Sequence, residues 1–228
     1  MEQTKPNKNK WISFLADGIL SGLMLGIGGM VSLSSENRFL GAFLFSLGLF
    51  CIVQFKYGLF TGKVGYIVNR DLPYVAETAV TLVGNALGTL IAALLLRQVR
   101  FFTSTVSTMD VTISDRVQAT VSGKIHDNPL SIFILAIFCG ILMFTAVEGS
   151  RKCKEEKNFT GSLFVVVMPV MVFIICGFNH CIADMFYYFF AGCPEPSKAI
   201  VYFILAIAGN SVGGMIVPLL KKLSNQLL

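Results

Sequence analysis

Charge is what this sequence has least of: only 14% of its 228 residues are Asp, Glu, Lys or Arg, where a soluble domain carries about 25%. The basic residues form no stripe with interleaved aromatics, which speaks against nucleic acid as a partner. Six cysteines are present but no two make a C-x-x-C pair. Zinc sites and a disulfide framework are therefore weak readings, and the thiols read as small buried apolar residues. No H-E-x-x-H and no P-loop occurs, so metalloprotease and nucleotide chemistry have no motif to stand on. The first apolar run follows a polar stretch of ten residues, is long, and lacks a small-residue cleavage site; it reads as a span that stays in the protein. No metal or cofactor is expected.

What is abundant is apolar sequence, 54% of the chain. A bilayer core takes about 20 apolar residues per helix, and six stretches qualify: Ile12 to Leu33, Phe39 to Gly62, Tyr74 to Leu96, Leu130 to Val147, Leu163 to Gly192 and Ala199 to Leu220. Trp11 edges the first, which contains Asp17. Lys56 interrupts the second, Glu77 lies near the start of the third, and His180 and Asp184 lie within the fifth. The expected class is an all-α integral membrane protein, one transmembrane domain over residues 1–228. The only long connection, Gln98 to Pro129, is rich in Ser and Thr.

An even number of spans puts both termini on one side. With that side cytoplasmic, the inner set is Lys5, Lys8, Lys10, Lys63, Arg70, Arg151, Lys152, Lys154, Lys157, Lys221 and Lys222. The outer set is Arg38, Arg97, Arg100, Arg116, Lys124 and Lys198. The excess of inner cations favours termini inside a cell inner (plasma) membrane.

The chain also repeats itself. Gly84-Asn85-Ala86-Leu87-Gly88 in the third span and Gly209-Asn210-Ser211-Val212-Gly213 in the sixth share G-N-x-x-G, 125 residues apart. Three spans per half make the second half an inverted copy of the first, an architecture that places a pathway at the interface of the repeats. Glycines at this spacing also pack helices closely, and both readings hold together. Each half carries a break at the corresponding place. The second span ends in Gly58-Leu59-Phe60-Thr61-Gly62-Lys63 before a loop from Val64 to Pro73. The fifth is too long for one straight crossing and holds Cys176-Gly177-Phe178-Asn179-His180. Broken helices at membrane depth are tolerated where they are buried in protein or line a cavity.

These breaks select the candidate residues. His180, ionisable within a span, marks a pathway or proton relay; the alternative is a neutral His bonded to a neighbouring carbonyl. Asp184, four residues on, shares a helical face with His180, and either holds the imidazole or pairs with a neighbouring helix. Thr61 offers a hydroxyl to an anion or to His180. Phe45, Leu49, Leu59, Phe60 and Phe173 are candidates for apolar constrictions that exclude hydrated ions, although apolar residues at helical spacing are commonly core. Lys124 raises local anion concentration if it faces an entrance; Lys56 and Lys63 are explained by snorkelling.

These motifs resemble the formate/nitrite transporters over nearly all of the chain from Trp11 to Leu220. Leu59-Phe60-Thr61-Gly62 is similar to that family's L-F-T-[GS] in its broken second helix. Gly177 to Phe186 resembles G-F-E-H-S-x-A-N-M-F in its broken fifth helix, and Gly22 to Gly29 resembles its first helix. The resemblance implies an aquaporin-like fold, a homopentamer, and a small monovalent anion and a proton as cargo. It implies Thr61 and His180 at the pore centre, apolar constrictions at Phe45, Leu49, Leu59, Phe60 and Phe173, and Lys124 as a vestibule lysine. An anion would lose water, gain a proton from water or from His180, and cross as the neutral acid. Formate is the first expectation; nitrite, hydrosulfide and lactate are the alternatives. The chain departs from the family pattern at Asn179, where an acidic residue is usual, and at Asp184 and Lys63, where Asn is usual. It also departs at Gly58, often acidic, and at Gly140, often Asn. Two rival readings remain: a membrane acyltransferase using His180-x-x-x-Asp184, and a pore for neutral solutes.

Overall fold

The computed structural model describes residues 10–106 and 110–227; Lys5 and Lys8, counted above with the inner cations, lie outside them. Nine α-helices occur among the described residues: α1 Lys10–Ser34, α2 Arg38–Phe55, α3 Phe60–Lys63, α4 Leu72–Arg97, α5 Ile113–Ile125, α6 Pro129–Glu155, α7 Phe159–Cys176, α8 Cys181–Phe190 and α9 Pro196–Leu227. Six of them, α1, α2, α4, α6, α7 and α9, are long and apolar enough to cross a membrane. Large apolar side chains such as Phe39, Leu47, Leu94, Phe164 and Ile204 stand on the outside of the bundle. That is the inverse of a soluble protein's surface.

The core begins with two tightly crossed pairs, α1 with α4 and α6 with α9. At both crossings backbone meets backbone. A methyl group placed on Gly88 would lie 2.1 Å from the Ile19 carbonyl oxygen, and one on Gly213 would lie 2.0 Å from that of Ile137. Close approach of this kind, rather than hydrophobic driving force, holds helices together in lipid. Gly140, where the related pattern carries Asn, faces the Asn210 backbone at 2.3 Å, so no side chain fits there.

Both expected breaks are present, with one correction. The chain leaves the helix at Lys56, whose φ of 60° closes α2, and re-enters it at Phe60. Val64–Asn69, read from sequence as loop, is a 3-10 helix that continues α3. The second break spans residues 177–180, between α7 and α8, where Gly177 takes φ 71°. α6 runs beyond the expected end at Val147 to Glu155. Its polar last turns are held by Arg151 bonding Glu148 and Glu155, and basic side chains there suit a helix C-terminus.

The long connection also holds more structure than its composition suggested. Thr105–Val106 pairs antiparallel with Val111–Thr112. α5 follows, burying Ile113, Val117, Val121 and Ile125 at a four-residue spacing against the bundle. Thr112 and Asp115 cap its start reciprocally, and the bonds from Thr112 hold the Asp115 carboxyl below the usual carboxylate range. The thiols correct the sequence reading in part. Cys139 and Cys181 are buried, Cys51 and Cys153 are half-buried, and Cys176 and Cys193 are exposed, since the last two sit where α7 and α8 end.

One asparagine ties each half together. Asn85 accepts from the Phe60 N–H at 2.9 Å and donates to the carbonyls of Gly18 (2.9 Å) and Gly58 (2.8 Å). Asn210 accepts from the Cys181 N–H at 2.9 Å and donates to Ala136 and Asn179, both at 2.8 Å. Each side chain thus joins a full-length helix, the break, and the first N–H of the half-helix beyond it. Replacing either by Leu leaves the N–H and the carbonyl at the break without this partner, each worth roughly 1–3 kcal/mol where buried, while the Gly18 and Ala136 carbonyls keep their intrahelical bonds. Asn85→Leu and Asn210→Leu are expected to lower the unfolding temperature in detergent markedly and to similar extents. A thermal-shift measurement in which either variant matches the parent removes this role.

Candidate functional site

The two half-helices begin close to each other in the interior. Leu59 is the residue before α3 and His180 the residue before α8, both in extended conformation. This follows from the breaks: each chain returns to helix at a point fixed by its asparagine. Thr61 and His180 are 0% and 1% exposed, and Thr61 Oγ1 lies 3.1 Å from His180 Nε2. The other ring nitrogen, Nδ1, accepts the Ala183 N–H at 3.1 Å. An accepting Nδ1 carries no proton, so the neutral ring bears its proton on Nε2, directed at Thr61. For both nitrogens to be protonated the Ala183 bond must break.

The apolar candidates surround this pair. The Phe173 ring stacks on the His180 ring at 5.5 Å between centroids and meets Phe45 edge-on at 5.6 Å. Phe45, Leu49, Leu59, Phe60 and Phe173 are all buried. Two cavities reach toward them from opposite ends of α2. A cavity of about 410 Å³ on the α5 face ends on Phe173 and is flanked by Arg38, Arg116, Lys124 and Asp184. A cavity of about 340 Å³ on the opposite face ends on Leu59 and is flanked by Lys56, Lys63 and Lys154.

Lys124 reaches the first cavity from the last turn of α5, but its ammonium is engaged. It donates to Asn179 Oδ1 at 2.8 Å and lies 3.2 Å from Asp184 Oδ1. The Asp184 carboxylate also accepts the Tyr202 hydroxyl at 2.6 Å. This decides between the alternatives left open for Asp184: it pairs with α5 and α9 and makes no bond to the imidazole. The expectation of a shared helical face fails because His180 precedes the helix rather than occupying its first turn. Asn179 also donates to the Ile132 carbonyl at 3.1 Å, so it joins Lys124 to α6. Tyr202 was not foreseen; inside a long apolar span nothing distinguishes it from packing. Arg38 and Arg116 on the same cavity are occupied too. Arg38 donates to the Ile175 carbonyl (2.7 Å), and Arg116 to those of Leu33 and Ser35, closing the ends of α7 and α1.

The arrangement does not suit acyl transfer. His180 Nε2 faces a threonine in a closed apolar enclosure, and the acid four residues on is committed elsewhere. Gly209 to Gly213 spells the hydrolase pattern G-x-S-x-G, but Ser211 lies within α9 with its hydroxyl on the Ile207 carbonyl at 2.7 Å, not on an exposed turn. Among the described residues no group of His, Cys, Asp and Glu could hold a metal ion.

A family profile described as formate/nitrite transporter matches residues 2–222. The formate channel FocA of Haemophilus influenzae is 26% identical over 80% of this chain and 67% of its own length. Among solved structures, a pentameric formate channel with formate bound superposes with a TM-score of 0.78 at 23% identity, covering 98% of this chain and 100% of that one. An FNT family ion channel superposes with a TM-score of 0.73 at 17% identity, covering 91% of this chain and 86% of that one. The similar proteins are channels and transporters rather than enzymes.

Because Asn179 and Asp184 hold the same ammonium, their side chains are expected to be exchangeable. Asp184→Asn alone leaves Lys124 a cation without its carboxylate. Breaking a fully buried pair costs about 3–5 kcal/mol, and less here because the lysine side chain is 18% exposed. Adding Asn179→Glu to Asp184→Asn should recover part of the lost thermal stability, since the new carboxylate restores the charge beside Lys124 but cannot donate to the Ile132 carbonyl as Asn179 does. A double variant no more stable than Asp184→Asn would show that Tyr202, not Lys124, fixes the carboxylate's position.

Proposed function

The chain belongs to the formate/nitrite transporter family, and on that premise we propose that it is a channel through which a small monovalent anion, formate first, crosses the membrane as its neutral acid. The observation that carries this reading is the Thr61–His180 pair, closed off from the two flanking cavities by Phe45, Leu49, Leu59 and Phe173. An unpaired carboxylate is very costly in such a place. Loss of water disfavours the charged form of a weak acid and raises its pKa, so an anion leaving either cavity takes up a proton before it reaches the centre. The neutral acid then meets one polar step between apolar walls. His180 Nε2–H is a donor for its carbonyl oxygen, and the Thr61 hydroxyl is an acceptor for its acidic proton.

The hydrogen-bond pattern favours water over His180 as the proton source. A neutral imidazole that gave up its Nε2 proton would become an imidazolate, and prior protonation at Nδ1 requires loss of the Ala183 bond. His180 then acts by orientation. Three crossings per half set the two halves in opposite senses in the bilayer, with their asparagine-bound breaks meeting at mid-depth. The α5 face is the outer one in this reading, and both termini are cytoplasmic in a plasma membrane. The assembly is a homopentamer of single-domain protomers, each with its own pathway, as the name of the similar formate channel suggests.

Formate uptake into proteoliposomes is expected to rise as external pH falls, roughly tenfold per unit while the acid is mostly ionised. Protein-dependent uptake that ignores pH would point instead to passage of the ion or to a pore for neutral solutes. Uptake equal to that of empty liposomes at every pH would remove formate as cargo.

His180 also caps α8, so two variants separate its roles. His180→Ala loses both the ring donor and the cap, at a cost of about 1 kcal/mol for the cap. His180→Asn keeps a side-chain acceptor for the Ala183 N–H. Both proteins should assemble, His180→Asn should be the more stable by thermal shift, and both should carry formate at least tenfold more slowly than the parent. Parental flux in His180→Asn would confine the histidine to helix capping.

A further inference from the structure

A further cavity lies away from the Thr61–His180 pair, on the face opposite α5, where α6 and α9 end. It encloses about 1120 Å³. Its rim is cationic: Arg70, Lys152, Lys221 and Lys222 border it together with an Arg151 already paired to Glu148. Glu148 is the one carboxylate on the rim. It accepts from Tyr66 at 2.7 Å and from Arg151 at 2.8 and 2.9 Å, while Lys152 stays 4.0 Å away. Its charge is therefore spent on Arg151. Lys152 and Lys221, like charges from the ends of two different helices, both border this one space.

The interior of the cavity has the opposite character. One to two helical turns back from the cations, Phe144 and Thr145 on α6, Val217 and Pro218 on α9, and Val165 on α7 line it. At 1.5 Å per residue this floor lies about 5–12 Å deeper along the helices than Lys152 and Lys221. Both helices are membrane-spanning, so the floor is on the hydrocarbon side and the cations are at the interface. A soluble anion would use the rim alone. A ligand with a phosphate at one end and a hydrocarbon chain at the other uses both, and its single negative charge relieves the repulsion between Lys152 and Lys221.

We propose that this cavity is a binding site for an anionic phospholipid, its headgroup phosphate held between Lys152 and Lys221 with Arg70 and Lys222 nearby, and its acyl chain lying against Phe144 and Val217. The site joins the ends of α6 and α9 to the 3-10 helix that continues α3, through Tyr66 and Asn69. A bound lipid therefore braces the half-helix that carries Thr61 without entering either cavity that flanks it.

The test uses the full chain purified in detergent and titrated separately with dioleoyl phosphatidylglycerol, dioleoyl phosphatidylcholine and sodium phosphate. Retained lipid is read by native mass spectrometry and unfolding by thermal shift. Phosphatidylglycerol should be retained on the order of tenfold better than phosphatidylcholine and should raise the unfolding temperature, which sodium phosphate does not do. Lys152→Gln with Lys221→Gln should bring the two lipids to parity, and Lys152→Arg with Lys221→Arg should keep the preference. Equal retention of both lipids by the parent, or a preference that survives the double Gln change, overturns the proposal. Equal protection by sodium phosphate would make this a site for the free anion and overturns it too. Loss of the oligomer in the double Gln variant would assign the surface to subunit contact, which likewise overturns the lipid site. None of these readings depends on formate being the cargo.

Discussion

A polypeptide in a bilayer has nowhere to put an unpaired backbone amide, and this protein interrupts two of its helices at membrane depth. That constraint decides much of the rest. Hydrocarbon offers no hydrogen bonds, so each free N–H and C=O at a break must be met from within the chain. Asn85 and Asn210 meet it by spending a whole carboxamide on each break, one accepting and two donating bonds apiece. For an asparagine to reach both the break and the helix behind it, the paired helices must lie almost in backbone contact. Gly88 and Gly213 permit this where any side chain would collide with a carbonyl. The glycines and the asparagines are thus one device: the former bring the helices close enough for the latter to act.

This device is also what made the fold readable. Six apolar runs are legible by length, and G-N-x-x-G appears twice because the same backbone problem is solved twice. The position of His180 was legible as an ionisable residue at a break, and Thr61 as its neighbour across the repeat. What escaped the sequence reading depends on where helices begin. A four-residue spacing means a shared face only inside a helix, and His180 is a cap, so spacing alone could not choose between the imidazole and a neighbouring helix as the partner of Asp184. α5 hid in a Ser- and Thr-rich connection because its apolar face is only four residues wide: Ile113, Val117, Val121 and Ile125. Lys124 was legible as a cation near an entrance, but its partners come from α8 and the residues before it, 55 and 60 positions on. No local pattern reports a contact of that range.

The two cavities differ in how their cations are used. On the α5 face Lys124 is paired with Asp184, whereas Arg38 and Arg116 close helix ends through neutral backbone carbonyls. On the opposite face none of Lys56, Lys63 and Lys154 forms an ion pair among the described residues. Lys154 donates to the Val53 carbonyl at 2.7 Å, and Lys63 to Thr81 at 3.3 Å while lying over the Phe14 ring. Partners without formal charge leave a cation's field intact where a carboxylate would cancel it.

The repeat gives the scaffold and its violation gives the chemistry. The bonds of Asn85 to Phe60 and of Asn210 to Cys181 align the half-helices residue by residue, so Leu59 corresponds to His180, Thr61 to Ile182 and Lys63 to Asp184. At each of these positions one half is apolar where the other is polar, or carries the opposite charge. A strictly symmetric centre would hold either two leucines, closed to any polar solute, or two histidines, able to hold an ion in place. One histidine against one threonine gives a single donor facing a single acceptor, both anchored on helices that the symmetric asparagines keep rigid. Under the function proposed above, such a centre offers a neutral acid one fleeting polar contact and offers an anion too little to replace its water. In that proposal, selection for the uncharged form follows from how sparse the site is, with no need for a residue that recognises the cargo in detail.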